Sequence, residues 1–90
     1  MINLSVRHSV ADYAKWRASF DAHESMRRAG GSTGVTQVYR DMENPNQITV
    51  VLEWDNVENA RKFASDPALK AAMEEGGVTG MPEVHFLNRV

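Results

Sequence analysis

Cysteine is absent from the 90 residues. That excludes a disulfide framework, a thiolate zinc site and a nucleophilic thiol. Charge of one sign is lacking as well: ten Lys and Arg stand against twelve Asp and Glu, a formal net charge of -2. A balance so even creates no field that would draw the chain to nucleic acid or to an anionic membrane surface. No apolar run approaches the roughly 18 residues of a membrane span. The opening residues, Met1-Ile2-Asn3-Leu4-Ser5-Val6-Arg7, lack the continuous apolar stretch of a secretory signal. The expectation is a cytoplasmic protein with neither nucleic acid nor membrane as partner.

What is present suits a folded unit. Hydrophobic residues make up 42% of the chain and charged residues 24%, far from the composition of disorder. The length accommodates one domain, residues 1–90, with a thin core that hides only about 64% of the unfolded surface.

Ile2 to His8 alternates, with Ile2, Leu4, Val6 and His8 on one face, the period of a half-buried strand. Ser9 and Asp12 give a helix start signal. From there Tyr13, Trp16, Phe20, His23 and Arg27 fall on one stripe of a long first helix, which Gly30-Gly31 should end. Val35 to Met42 and Ile48 to Trp54 are rich in β-branched and aromatic residues and read as strands. Asn44-Pro45-Asn46 between them reads as a hairpin turn. Asp55 with Glu58 suggests a capped second helix, with Val57, Ala60, Phe63 and Ala64 inward. Asp66-Pro67 should interrupt it and start a short new helix that Gly76 and Gly77 stop. After Gly80-Met81-Pro82, Glu83 to Val90 alternates as a last strand. The order βαββαβ with right-handed crossovers predicts a ferredoxin-like α+β plait: a four-stranded antiparallel sheet with helices on one face. Apolar Val51 would then lie on the open face, with Val38 and Leu87 as expected neighbours. An exposed patch of that kind implies a homodimer through the sheet face.

The segments Asp12-Tyr13-Ala14-Lys15-Trp16, Arg28-Ala29-Gly30-Gly31, Val38-Tyr39-Arg40 and Val51-Leu52-Glu53-Trp54-Asp55 resemble the dimeric α+β barrel superfamily. More narrowly, they resemble its small bacterial cyclase-like and antibiotic-biosynthesis-monooxygenase-like proteins. The likeness extends over almost the entire chain. It implies a ligand pocket between the helices and the sheet of each subunit. The superfamily spans cofactor-free oxygenases, polyketide cyclases, lactone isomerases and haem-degrading enzymes. No catalytic motif of these enzymes matches here residue by residue, so the resemblance assigns no catalytic residue.

The candidate site rests on side-chain chemistry. His23, on the apolar stripe, either sits at the core edge bonded to a carbonyl or water, or faces a ligand as a general base titrating near neutrality. Tyr39 can donate a hydrogen bond to a substrate oxygen, whereas Arg40 leaves the strand on the opposite face and suits a carboxylate or a cross-interface pair with Glu53. Trp16, Phe20, Trp54 and Met73 offer an apolar wall or simply core, and Met26 with Met73 could line an adaptable cavity. His8, His23 and His85 come from separate elements without metal-ligand spacing, so no metal is expected. Gly30-Gly31-Ser32-Thr33-Gly34 follows a helix and precedes a strand, the reverse of a phosphate-binding loop. No cofactor is expected.

Two functions follow from this reading. The first is a small-molecule enzyme without metal or nucleotide, a cyclase, isomerase or monooxygenase moving a proton on an apolar, aromatic or polyketide-like compound. His23 and Tyr39 are its expected catalytic pair. The alternative is a non-catalytic ligand-binding or assembly dimer.

Overall fold

The computed structural model describes residues 1–90. Its elements are β1 (Ile2–Val10), α1 (Tyr13–Ala22), α2 (Glu24–Gly30), β2 (Ser32–Arg40), β3 (Gln47–Trp54), α3 (Val57–Ala64), α4 (Pro67–Glu75) and β4 (Val78–Asn88). They build a four-stranded antiparallel sheet in the order β2-β3-β1-β4. This is the ferredoxin-like plait expected from the sequence, with each helical crossover divided in two.

The central strands follow the period-2 rule closely. Leu4, Val6, His8 and Val10 of β1 and Ile48, Val50, Leu52 and Trp54 of β3 are all buried. In the β1–β3 register Leu4 faces Leu52, Val6 faces Val50 and His8 faces Ile48. These rows carry the core, which Trp16 and Ala60 cover from the helices.

Several boundaries differ from expectation, each for a local reason. Asp12 caps α1, accepting from the Lys15 amide at 3.3 Å, so β1 runs on through Ser9 to Val10. The first helix is not continuous. At His23 the amide donates to the Phe20 carbonyl three residues back, at 3.2 Å. The Ser19 carbonyl meets the His23 ring instead, with Nδ1 at 2.7 Å. A side chain has replaced a backbone donor, and the helix breaks there.

Gly31 ends α2 at φ 121, and a Cβ there would fall 2.7 Å from Asp55 Oδ1, so glycine is required. Asn56, not Asp55, caps α3 by accepting from the Asn59 amide at 2.8 Å. Asp55 accepts from Asn59 Nδ2 at 3.0 Å instead. Pro67 opens α4 beside the Asp66 cap. β4 begins at Val78 because Gly80-Met81-Pro82 forms a bulge against β1 rather than a corner, with Gly80 at φ 73. Pro82 is tolerated there because β4 is an edge strand.

The open face of the sheet is more polar than expected. Val38 pairs with Val50 and packs against the core, on the helix-covered side. It is therefore not a neighbour of Val51, which lies between Gln37 and Ser5. Exposed Leu87 pairs with Asn3.

Candidate functional site

Trp16 is placed by α1 directly above the β1 row. Its ring meets His8 edge-on at 5.5 Å between centroids and stacks on Phe20 at 5.0 Å, with Tyr13 at 6.0 Å on its other flank. One turn beyond the break at His23, Arg27 lays its guanidinium over the Phe20 ring at 3.8 Å from the centroid. The stripe read from the sequence is thus a physical stack. α4 closes the opposite side with Leu69, Ala72 and Met73.

These groups do not fill the space between them. A half-open, largely apolar cavity remains between α1, α2 and α4 and the sheet, with about 60 Å³ that the centre of a water molecule can reach. Val6, Val50 and Leu52 form its floor, and His8, Ser19, His23 and Arg27 are its polar groups. A concave apolar site with a few convergent polar groups is the usual form of a small-molecule pocket.

The two cavity histidines differ. His23 is half-buried. A carbonyl oxygen only accepts, so its contact with Ser19 puts the proton on Nδ1 and leaves Nε2 as the acceptor of the neutral ring. His8 is buried, and its Nδ1 is sealed from solvent without a hydrogen-bond partner. Burial pushes its pKa below the ordinary histidine value, and its own backbone opposes this in smaller part. At neutral pH His8 is therefore an uncharged ring. It was legible as an inward residue of β1, but its isolation from the other histidines in the sequence gave no sign that it shares a cavity with His23.

Of the residues singled out in the sequence, the structure gathers His23, Trp16, Phe20 and Met73 around this cavity, together with Met26. It does not bring Tyr39 or Trp54 there. Tyr39 leaves β2 on the uncovered face of the sheet, opposite Thr49, and is half exposed. The expected pairing of His23 with Tyr39 therefore fails within the chain: Val38 and Arg40 take the inward positions, and strand alternation sends Tyr39 outward. Arg40 in turn stacks on Tyr13 at 4.2 Å and donates to the Pro45 carbonyl at 3.0 Å. Trp54 is fully buried at the far end of the core, 4.8 Å from the Phe63 ring. It is a packing residue, not a wall of the cavity. Arg27, on the predicted stripe but given no role there, is the second polar group that sequence reasoning passed over.

No helix is long and apolar enough to cross a membrane. No protein-family model matches the chain, and no curated protein matches it. Solved structures do. An antibiotic biosynthesis monooxygenase-like protein of Bordetella bronchiseptica superposes with a TM-score of 0.82 at 19% identity, covering 99% of this chain and 96% of that one. A similar protein of Caulobacter crescentus CB15 gives a TM-score of 0.74 at 19% identity, covering 99% and 89%. SnoaB of Streptomyces nogalater, a cofactor-independent oxygenase, gives 0.76 at 13% identity, covering 99% and 92%. Over practically its whole length, this chain has the α+β fold of the antibiotic biosynthesis monooxygenase-like proteins.

Proposed function

We propose that the cavity beneath α1 and α2 binds a small apolar, aromatic or polyketide-like compound and that His23 moves a proton on it, as in a cyclase, isomerase or cofactor-free monooxygenase. The observation that carries this reading is the His23 ring itself. It lines an apolar cavity with Nδ1 committed to the Ser19 carbonyl at 2.7 Å, so Nε2 holds the free lone pair a general base needs. Trp16 and Phe20, stacked on each other, add apolar lining that suits a ring-shaped substrate. His8, neutral and behind Trp16, is a second imidazole within the same enclosure. Tyr39 has no part in this site within one chain. SnoaB, a cofactor-independent oxygenase on the same fold, supports an enzyme that works without a bound cofactor.

The test is exchange of the acidic C–H protons of 2-tetralone for deuterium in heavy water, followed by NMR. The protein should accelerate exchange over buffer, and His23→Gln should lose about a hundredfold or more of that acceleration. Binding of 2-tetralone without any acceleration would favour the non-catalytic ligand-binding alternative.

The open sheet face supports a homodimer. All helices lie on the other side, leaving Tyr39, Val35 and Leu87 exposed along with half-buried Val51. The surface area is 5752 Å², above the roughly 5,300 Å² that a folded monomer of this mass leaves accessible. Light scattering should give twice the chain mass at micromolar concentration, and Leu87→Arg should shift it toward the monomer. A monomeric mass for the unaltered chain would contradict the dimer.

A further inference from the structure

Arg27 is the one strongly polar side chain of the cavity that the proton-transfer reading does not use. It is 5% exposed, yet it has no carboxylate partner. The ion pairs of the chain are Arg17–Asp21 and His85–Glu83. A guanidinium carries five N–H donors, and the one hydrogen bond Arg27 makes runs from Nη1 to the Phe20 carbonyl at 2.7 Å. Its flat face is spent on the Phe20 ring.

The side chain stands in the wall between two spaces. On one side is the apolar cavity. On the other is a polar cleft bordered by Arg17, Asp21, Glu24, Gly34 and Thr36. Asp21 and Glu24 favour the Arg27 charge from a distance, but Asp21 is already held by Arg17 Nε at 3.2 Å, and Glu24 is exposed without a contact to Arg27. Burying a cation without a counterion is costly, so buried arginines are ordinarily paired. The Arg27 nitrogens other than Nη1 are not sealed from solvent, so an anion can reach them, and among ring compounds a carboxyl group is ionised at neutral pH where a phenol is not. The planar fork of guanidinium matches the two oxygens of a carboxylate.

Building on the reading of the cavity as a pocket for a ring compound, we infer that its ligand is an aromatic carboxylic acid whose carboxylate pairs with Arg27 while its ring lies against Phe20 and Trp16. The anion completes the charge balance, and the ring fills the apolar space. Placed so, the reacting part of the ligand lies on the side of His23 and His8, the other polar groups of the cavity.

The experiment compares 2-naphthoate with its neutral isostere 2-naphthamide by calorimetric titration of the intact protein. A charge-assisted pair of this kind corresponds to about tenfold or more in affinity. 2-Naphthoate should bind tighter by that factor, and Arg27→Gln should abolish the difference between the two compounds. Arg27→Lys should retain only part of it. The comparison of the two compounds needs no variant, so it stands even if Arg27→Gln folds poorly. Equal binding of both compounds would overturn the carboxylate inference and leave the apolar pocket standing. Failure of both to bind would overturn the pocket reading and this inference with it.

Discussion

The two tryptophans divide the interior into a packed end and a hollow end. Trp54 and Trp16 are 0% and 4% exposed, so burial alone does not tell them apart. Their neighbours do. Around Trp54 the packing is close: Phe63 lies 4.8 Å away, Ala60 is sealed, the small Ser32 is its buried cross-strand partner, and Gly30 lets α2 pass close to the indole. The Trp54 indole nitrogen is sealed there without a hydrogen-bond partner. Around Trp16 the neighbours are His8, Phe20, His23, Met26 and Arg27. Long or polar side chains cannot be packed to native density there without stranding their charges and lone pairs, and space is left. The lesson is that an apolar stripe marks what faces inward, and only the polar groups mixed into it mark where the interior stays open.

The largest expected break in this comparison is a truncation at each end. Trp54→Ala should cost about 3–5 kcal/mol of unfolding free energy, since it empties a closed site. Phe20→Ala should cost less, about 1–2 kcal/mol, because its ring already borders a hollow and is only half-buried. Urea unfolding of the two variants checks this, and equal losses would mean that the ends are packed alike.

The second prediction concerns His8. Its pKa is lowered on folding, so below the ordinary value of about 6.5 the unfolded chain takes up a proton before the folded chain does. Stability is then full above that pH and falls as pH drops below it, levelling off once the folded pKa is passed. One proton limits the slope to about 1.4 kcal/mol per pH unit. Thermal unfolding between neutral and mildly acidic pH should show the decline, and His8→Phe should flatten it. A decline unchanged in His8→Phe would place its origin elsewhere.

A smaller effect belongs to the helix that carries the hollow end. Asp12→Ala removes the α1 cap and should cost about 1 kcal/mol in the same urea assay, without changing 2-naphthamide affinity. The smallest belongs to the open face. Glu83 is held below its ordinary pKa by its hydrogen bond to His85, but the pair is exposed. Its contribution is present above the ordinary glutamate pKa and is lost as pH falls through the lowered one. Glu83→Gln should leave the neutral-pH melting temperature within error, as exposed pairs generally do.

Much of this architecture was legible because alternation and capping are local. Leu4, Val6 and His8 face inward as their spacing requires, and Asp12, Gly31 and Pro67 stand at element ends. The break at His23 was not legible, because a continuous apolar stripe hides the exchange of the Ser19 carbonyl from a backbone amide to an imidazole. Nor was the face of Tyr39. Val38, Tyr39 and Arg40 each fit a strand in either phase, and only the pairing of Val38 with Val50 fixes which side is inside. That His8 and His23 line one cavity follows from packing across the crossover, and no short motif encodes it.

Methionine methyl NMR is the most direct test of the central claim, because the chain carries its own reporters. Met26 and Met73 line the cavity, whereas Met42 and Met81 are almost fully exposed elsewhere. On titration with 2-naphthamide, the methyl signals of Met26 and Met73 should shift saturably while those of Met42 and Met81 stay in place. Shifts confined to Met42 and Met81, or no shift at any methionine, would contradict a ligand-binding hollow beneath α1 and α2.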